Sequence, residues 1–68
     1  MKDYYVNENA QFNGNHEVHK EGCQYLHLVV NKLYLGEFEN CRDAVDKAGN
    51  YYMNVDGCYF CCNECHEK

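Results

Sequence analysis

Gly57-Cys58-Tyr59-Phe60-Cys61-Cys62-Asn63-Glu64-Cys65-His66 holds four of the six cysteines and one of the four histidines in this chain. Its first half is a C-x2-C turn, Cys58 to Cys61, whose spacing lets one tight bend present two thiolates to a metal ion. Gly57 in front of it relieves the steric cost of that bend. Alone, C-x2-C also reads as a redox dithiol or half of a disulfide framework. It gains force from a second pair upstream, His19-Lys20-Glu21-Gly22-Cys23, where an H-x3-C spacing brings an imidazole and a thiolate onto one turn. His19, Cys23, Cys58 and Cys61 together make a Cys3His set, the donor set of a closed, tetrahedral, structural site for one zinc ion.

The need for such a staple follows from size. The chain has 68 residues, no Ile, four Leu and six Val, with seven Tyr and three Phe carrying much of the apolar volume. A single domain this small gains too little from burial alone and usually adds disulfides or a metal. Met1 to Asn7 contains no apolar signal segment, and no apolar run is long enough to span a bilayer. A cytoplasmic protein without membrane association is therefore expected, and in a reducing compartment clustered cysteines are more often metal ligands than disulfides. The net charge is −5 and the six basic residues are scattered singly, which argues against nucleic acid as a partner. A monomer whose partner is another protein is the expectation.

Around the two ligand pairs the chain reads as one α+β domain, residues 1–68, with a short antiparallel sheet and one main helix. Asp3-Tyr4-Tyr5-Val6 is rich in β-formers and predicts a first strand. Asn7 to Asn15 follows as a hairpin loop or a mobile one, with Asn13-Gly14-Asn15 as its turn. Glu17-Val18-His19 predicts a second strand. Tyr25 to Val30 and Leu33 to Leu35 read as β-like runs separated at Asn31-Lys32 and closed by Gly36. The helix is predicted over residues 40–48, with Asn40 as N-cap, Asp43 in the first turn, and Cys41, Ala44, Val45 and Ala48 on one face. Gly49 suits a left-handed helix terminus. Tyr51 to Val55 then reads as another strand or extended segment, and Asp56-Gly57 as the turn that delivers Cys58.

H-x3-C, a helix bearing Asp43-Ala44-Val45-x-x-Ala48, and Gly57-Cys58-x-x-Cys61, in that order, resemble the Ada metal-binding domain-like superfamily. The resemblance covers residues 16 to 62. It implies a small α+β zinc domain in which the two pairs share one ion. In the DNA-repair member the first Cys of C-x3-C accepts a methyl group from a DNA phosphotriester. The matching position here is His19, whose imidazole is no comparable acceptor, and basic DNA-facing residues lack counterparts. The resemblance thus implies an accessory or interaction module whose zinc holds the fold, without catalysis. A nucleic-acid accessory role follows only by that analogy.

The second half of the opening stretch is less clear. Cys62-Asn63-Glu64-Cys65-His66 spells the c-type haem signature C-x-x-C-H, opposed by the missing export signal and the thin apolar supply. Spacing also admits His66 or Cys65 in place of one zinc ligand. Surplus Cys62 and Cys65 leave open a thiol-redox or metal-handling protein. Cys41 reads as a buried small hydrophobe on the helix face, with pairing to Cys65 open to it in an oxidising setting. His16 and Glu17 are candidates for orienting a ligand histidine, and His27 reads as a surface residue on a strand. Neither a Ser/His/Asp set nor a phosphate-binding glycine loop nor an HExxH helix occurs, and a closed zinc site leaves no position for activating water.

Overall fold

The computed structural model describes residues 1–67. Four strands, β1 (Lys2–Asn7), β2 (His16–Lys20), β3 (Lys32–Phe38) and β4 (Val55–Gly57), form one sheet in the order β3-β1-β2-β4. The single helix α1 (Cys41–Ala48) packs on one face of it. The expected α+β architecture with one main helix is therefore the observed one. β1 runs antiparallel to both β2 and β3, while β4 joins β2 in parallel, so the sheet is mixed.

Strand alternation decides which face is covered. Tyr4 and Val6 of β1, Val18 of β2 and Leu35 of β3 point into the core, where they meet Cys41, Ala44 and Ala48 of α1 together with Cys62 and Cys65. Small residues on the helix face let α1 lie close to the sheet. α1 begins as read from the sequence: the Asn40 side chain accepts a 2.9 Å hydrogen bond from the Asp43 amide, satisfying one of the free amides of the first turn. Its other end differs from expectation. Gly49 has φ −62°, so it is not left-handed. The amides of Gly49, Asn50, Tyr51 and Tyr52 instead take up the last carbonyls directly, which removes the need for a left-handed cap.

Three further expectations are corrected. Tyr25 to Val30 is not a strand; Leu26–Leu28 forms a single 3-10 turn, with Leu28 and Val29 bonding back to Tyr25 and Leu26. Its amides find local partners, while the open edge of β1 is taken by β3 itself. His27 is exposed there, on a turn rather than a strand. Gly36 does not close β3 but lies within it at φ +125°, where the register against β1 slips by one residue and leaves Leu35 extra. Only glycine takes that φ without strain.

Asp56-Gly57, finally, is not a turn but the body of β4, paired with Glu17 and Val18, and of Tyr51 to Val55 only Val55 is in a strand. Parallel pairing with a segment about forty residues away has no local sequence signature. Gly57 serves packing: a Cβ there would lie 2.8 Å from the Cys62 carbonyl oxygen and 2.9 Å from Cys65 Cβ. The 8–15 loop closes the β1–β2 hairpin as a compact turn, with Gly14 at φ +89° and the Gln11 amide bonded to the Asn15 carbonyl.

Candidate metal centre

β2 carries Val18 into the core and turns its neighbours Glu17 and His19 to the opposite face, by the period of two along a strand. Beyond Lys20 the chain folds back at once. The Cys23 amide bonds the Lys20 carbonyl, and Gly22 takes φ +86°, which places Cys23 beside His19. The other pair arrives by way of β4. The Cys58 amide donates to the Val18 carbonyl at 2.9 Å, setting Cys58 level with β2, and the Cys62 amide closes the following turn on the Cys58 carbonyl.

These contacts bring together four donor atoms, one each from His19, Cys23, Cys58 and Cys61, all within 4.8 Å of one another. Cys23 Sγ lies 3.7 Å from His19 Nδ1 and 4.0 Å from Cys58 Sγ, and Cys61 Sγ lies 3.9 Å from His19 Nδ1. A tetrahedron with metal–sulfur and metal–nitrogen distances of about 2.3 and 2.0 Å has edges of about 3.5–3.8 Å. These three edges are wider by a few tenths of an ångström, within a set whose members all lie within 4.8 Å of one another. The four side chains are a donor set able to hold a metal ion.

Backbone groups support the same centre. The amides of Phe60 and Cys61 donate to Cys58 Sγ, that of Tyr25 to Cys23 Sγ, and that of Lys20 to Cys61 Sγ at 3.4 Å. Each of the three sulfurs thus receives a donor that favours the thiolate, which is the form a metal binds. Burial acts the other way. It raises the Cys23 thiol and pushes Cys58 up to about 12. Cys61 is raised still further, chiefly by its contact with Cys62 and then by burial. Without a cation the cluster therefore holds its protons, and binding one releases them. Burial also lowers the pKa of His19, which stays neutral. Its Nδ1 faces the sulfurs and its Nε2 lies 3.5 Å from Glu17 Oε1, the carboxylate–histidine arrangement that fixes the tautomer of a ligand ring. Burial raises the pKa of Glu17 in turn.

The remaining candidates are accounted for elsewhere. Cys65 is bonded to Cys41 in a buried disulfide with a Cα–Cα separation of 6.4 Å, so it is no donor to the cluster. His66 Nδ1 sits 3.0 Å from the Gly57 carbonyl and 3.2 Å from Asp56 Oδ2, and Asp56 also accepts the Glu67 amide. His66 therefore fastens the C-terminal turn to β4. Cys62 is fully buried, and its Sγ lies 3.8 Å from that of Cys61 without joining the group of four. With Cys62 buried, Cys65 oxidised and His66 engaged, C-x-x-C-H presents nothing to a porphyrin. His16 is engaged with other groups: it stacks on Tyr52 at 3.8 Å and its Nδ1 meets the Asn7 carbonyl. The amide contacts to sulfur were not readable beforehand, since they depend on backbone direction rather than residue type.

Comparison with known proteins returns no match among protein-family models, curated proteins or solved structures. Among the described residues no helix is long and apolar enough to cross a membrane.

Proposed function

We propose that His19, Cys23, Cys58 and Cys61 bind one zinc ion whose task is to hold the fold, in a non-catalytic module that works by contacting another protein. The observation that carries this reading is the convergence of four soft donors within 4.8 Å of one another. Zinc fits it best among common ions, because three thiolates and one imidazole in tetrahedral disposition are its usual structural set. The resemblance to Ada metal-binding domain-like proteins points the same way. Four protein donors close the coordination sphere, which favours an architectural ion over one that activates water. Burial of Cys62 and the bond between Cys65 and Cys41 speak against the thiol-redox alternative. A nucleic-acid role sits poorly with a net charge of −5.

The test is far-UV circular dichroism of the full chain before and after a strong zinc chelator. Loss of the sheet and helix signal, restored by adding zinc, is expected, because metal binding free energy becomes folding free energy in a domain this small. An unchanged spectrum together with no retained metal overturns the reading.

A further inference from the structure

Adjoining the metal centre, with its His19 and Cys58 forming part of the wall, lies a cavity of about 330 Å3 on the Glu17/His19 face of β2. Its walls are Tyr25 and Phe60, whose rings approach at 4.5 Å, with Leu28 and Val29 completing the apolar side. Leu28 and Phe60 are 65% and 61% exposed. On the polar side are Gln11 and the Glu17 carboxylate, whose side chain is only 16% exposed. Among the described residues Glu17 makes no ion pair with a lysine or arginine; the His19 ring lies 3.5 Å from its carboxylate, Gln11 hydrogen-bonds it, and His66 and Asp56 also act on its charge.

We infer that this cavity receives a single lysine or arginine side chain from a peptide segment of a partner protein. The inference rests on the proposed interaction role and names the chemistry of the partner. Three features converge on a cation with an apolar stem. A carboxylate recessed in low dielectric, with no lysine or arginine paired to it, attracts a cation more strongly than an exposed one. The faces of Tyr25 and Phe60 carry the negative quadrupole that favours ammonium or guanidinium groups. Three thiolates around a dication would leave the adjoining centre at one net negative charge, adding to the same field. Leu28 and Val29 then cover the methylene stem, as apolar surface does for snorkelling side chains. The volume lies at the bottom of the usual ligand-pocket range of about 300–1,000 Å3, which suits one side chain rather than a larger ligand.

The test uses the full-length chain and capped pentapeptides, Gly-Gly-X-Gly-Gly, with arginine, lysine, norleucine or glutamate at X. Amide shifts in 15N–1H spectra are followed during titration, with zinc content read separately by native mass spectrometry. The expected result is weak binding of the arginine and lysine peptides, with shifts confined to Gln11, Glu17, Tyr25, Leu28 and Phe60. The norleucine and glutamate peptides should produce none. Glu17→Gln should weaken binding at least tenfold, and Leu28→Ser, outside the metal centre, several-fold with zinc content unchanged. Equal binding of norleucine, insensitivity to both substitutions, or no shift at millimolar peptide overturns the proposal. So do the same shifts on raising protein concentration alone, which would assign the cavity to a second copy of the chain. A chain that retains zinc but ignores the basic peptides refutes the docking inference alone. One that lacks zinc yet binds them through Glu17 refutes the metal reading alone.

Discussion

Two groupings of cysteine lie side by side near the C-terminal end of this chain, and they differ in kind. Cys58 and Cys61 meet His19 and Cys23 in a four-donor cluster, whereas Cys65, four positions on, is bonded to Cys41 across the helix. The cluster ties β4 and the knuckle after it to the turn beyond β2, and the disulfide ties α1 to the last 3-10 turn. Identity does not sort Cys58, Cys61 and Cys65, which share one ten-residue stretch. Sorting comes from the elements that carry them. Amides of Lys20, Tyr25, Phe60 and Cys61 face the sulfurs of the cluster, while Cys65 is delivered into the apolar core opposite the Cys41 face of α1. Gly57, with no room for a side chain, lets those two regions sit against each other.

The comparison predicts unequal consequences of breaking each side. The largest effect belongs to the metal side. Structural zinc contributes on the order of 10–16 kcal/mol of apparent binding free energy near neutral pH, more than a small domain's whole stability. Cys58→Ser is expected to leave the chain unfolded at 25 °C by circular dichroism, and a folded variant that holds no zinc would remove the ion from the account.

The disulfide side is expected to matter less. Its cysteines are 24 residues apart, and closing a loop of that length constrains the unfolded chain by about 3–3.5 kcal/mol. The double variant Cys41→Ala/Cys65→Ala should stay folded with zinc bound but melt more than about 10 °C lower. If it unfolds as Cys58→Ser does, the two cross-links are not of different rank. The bond also stands in tension with the reducing compartment expected from the sequence, and its burial with Cys41 and Cys65 only 3% and 4% exposed would slow reductants.

Between them, Gly57→Ala sharpens the comparison by forcing the two regions apart. An added methyl at 2.8–2.9 Å from Cys62 and Cys65 should cost about 1–3 kcal/mol through overpacking, read as a lower denaturant midpoint with zinc retained. An unaffected midpoint would mean that the contact between the two sides carries no strain.

Acidity also acts on the metal side, through the thiol protons that binding an ion releases and, as a smaller step of its own, through His19. Burial lowers the folded-state pKa of His19, so the unfolded chain takes up the proton first as pH falls. The contribution of neutral His19 is complete above the unfolded value of about 6.5 and declines below it toward the lower folded value. The melting temperature at pH 5.5 should therefore fall below that at pH 7.5, and a rise on acidification would contradict a neutral, buried His19.

How much of this was legible in advance tracks how local each feature is. α1 announced itself through Asn40, Asp43 and the Ala44/Ala48 face, because caps and helical periodicity are written in neighbouring residues. H-x3-C and C-x2-C were legible for the same reason, each being one turn. What assembles them is not local. The parallel pairing of β4 with β2 joins segments with no shared signature, so Asp56-Gly57 passed for a turn. Tyr25 to Val30 has strand-like composition, but its apolar side chains wall a cavity instead of pairing in the sheet. H-x3-C put His19 forward in advance, whereas setting His66 aside took its contacts with the Gly57 carbonyl and Asp56.

The central claim is that one set of thiols is reserved for a metal while another is oxidised. Native and denaturing intact-mass spectra of the freshly purified chain test both halves at once. The account predicts one zinc ion in the native spectrum and, after denaturation, a polypeptide lighter by two hydrogens, for the single Cys41–Cys65 bond. A metal-free native species with four or six hydrogens missing would contradict it, since the cluster cysteines would then be disulfide partners instead of ligands.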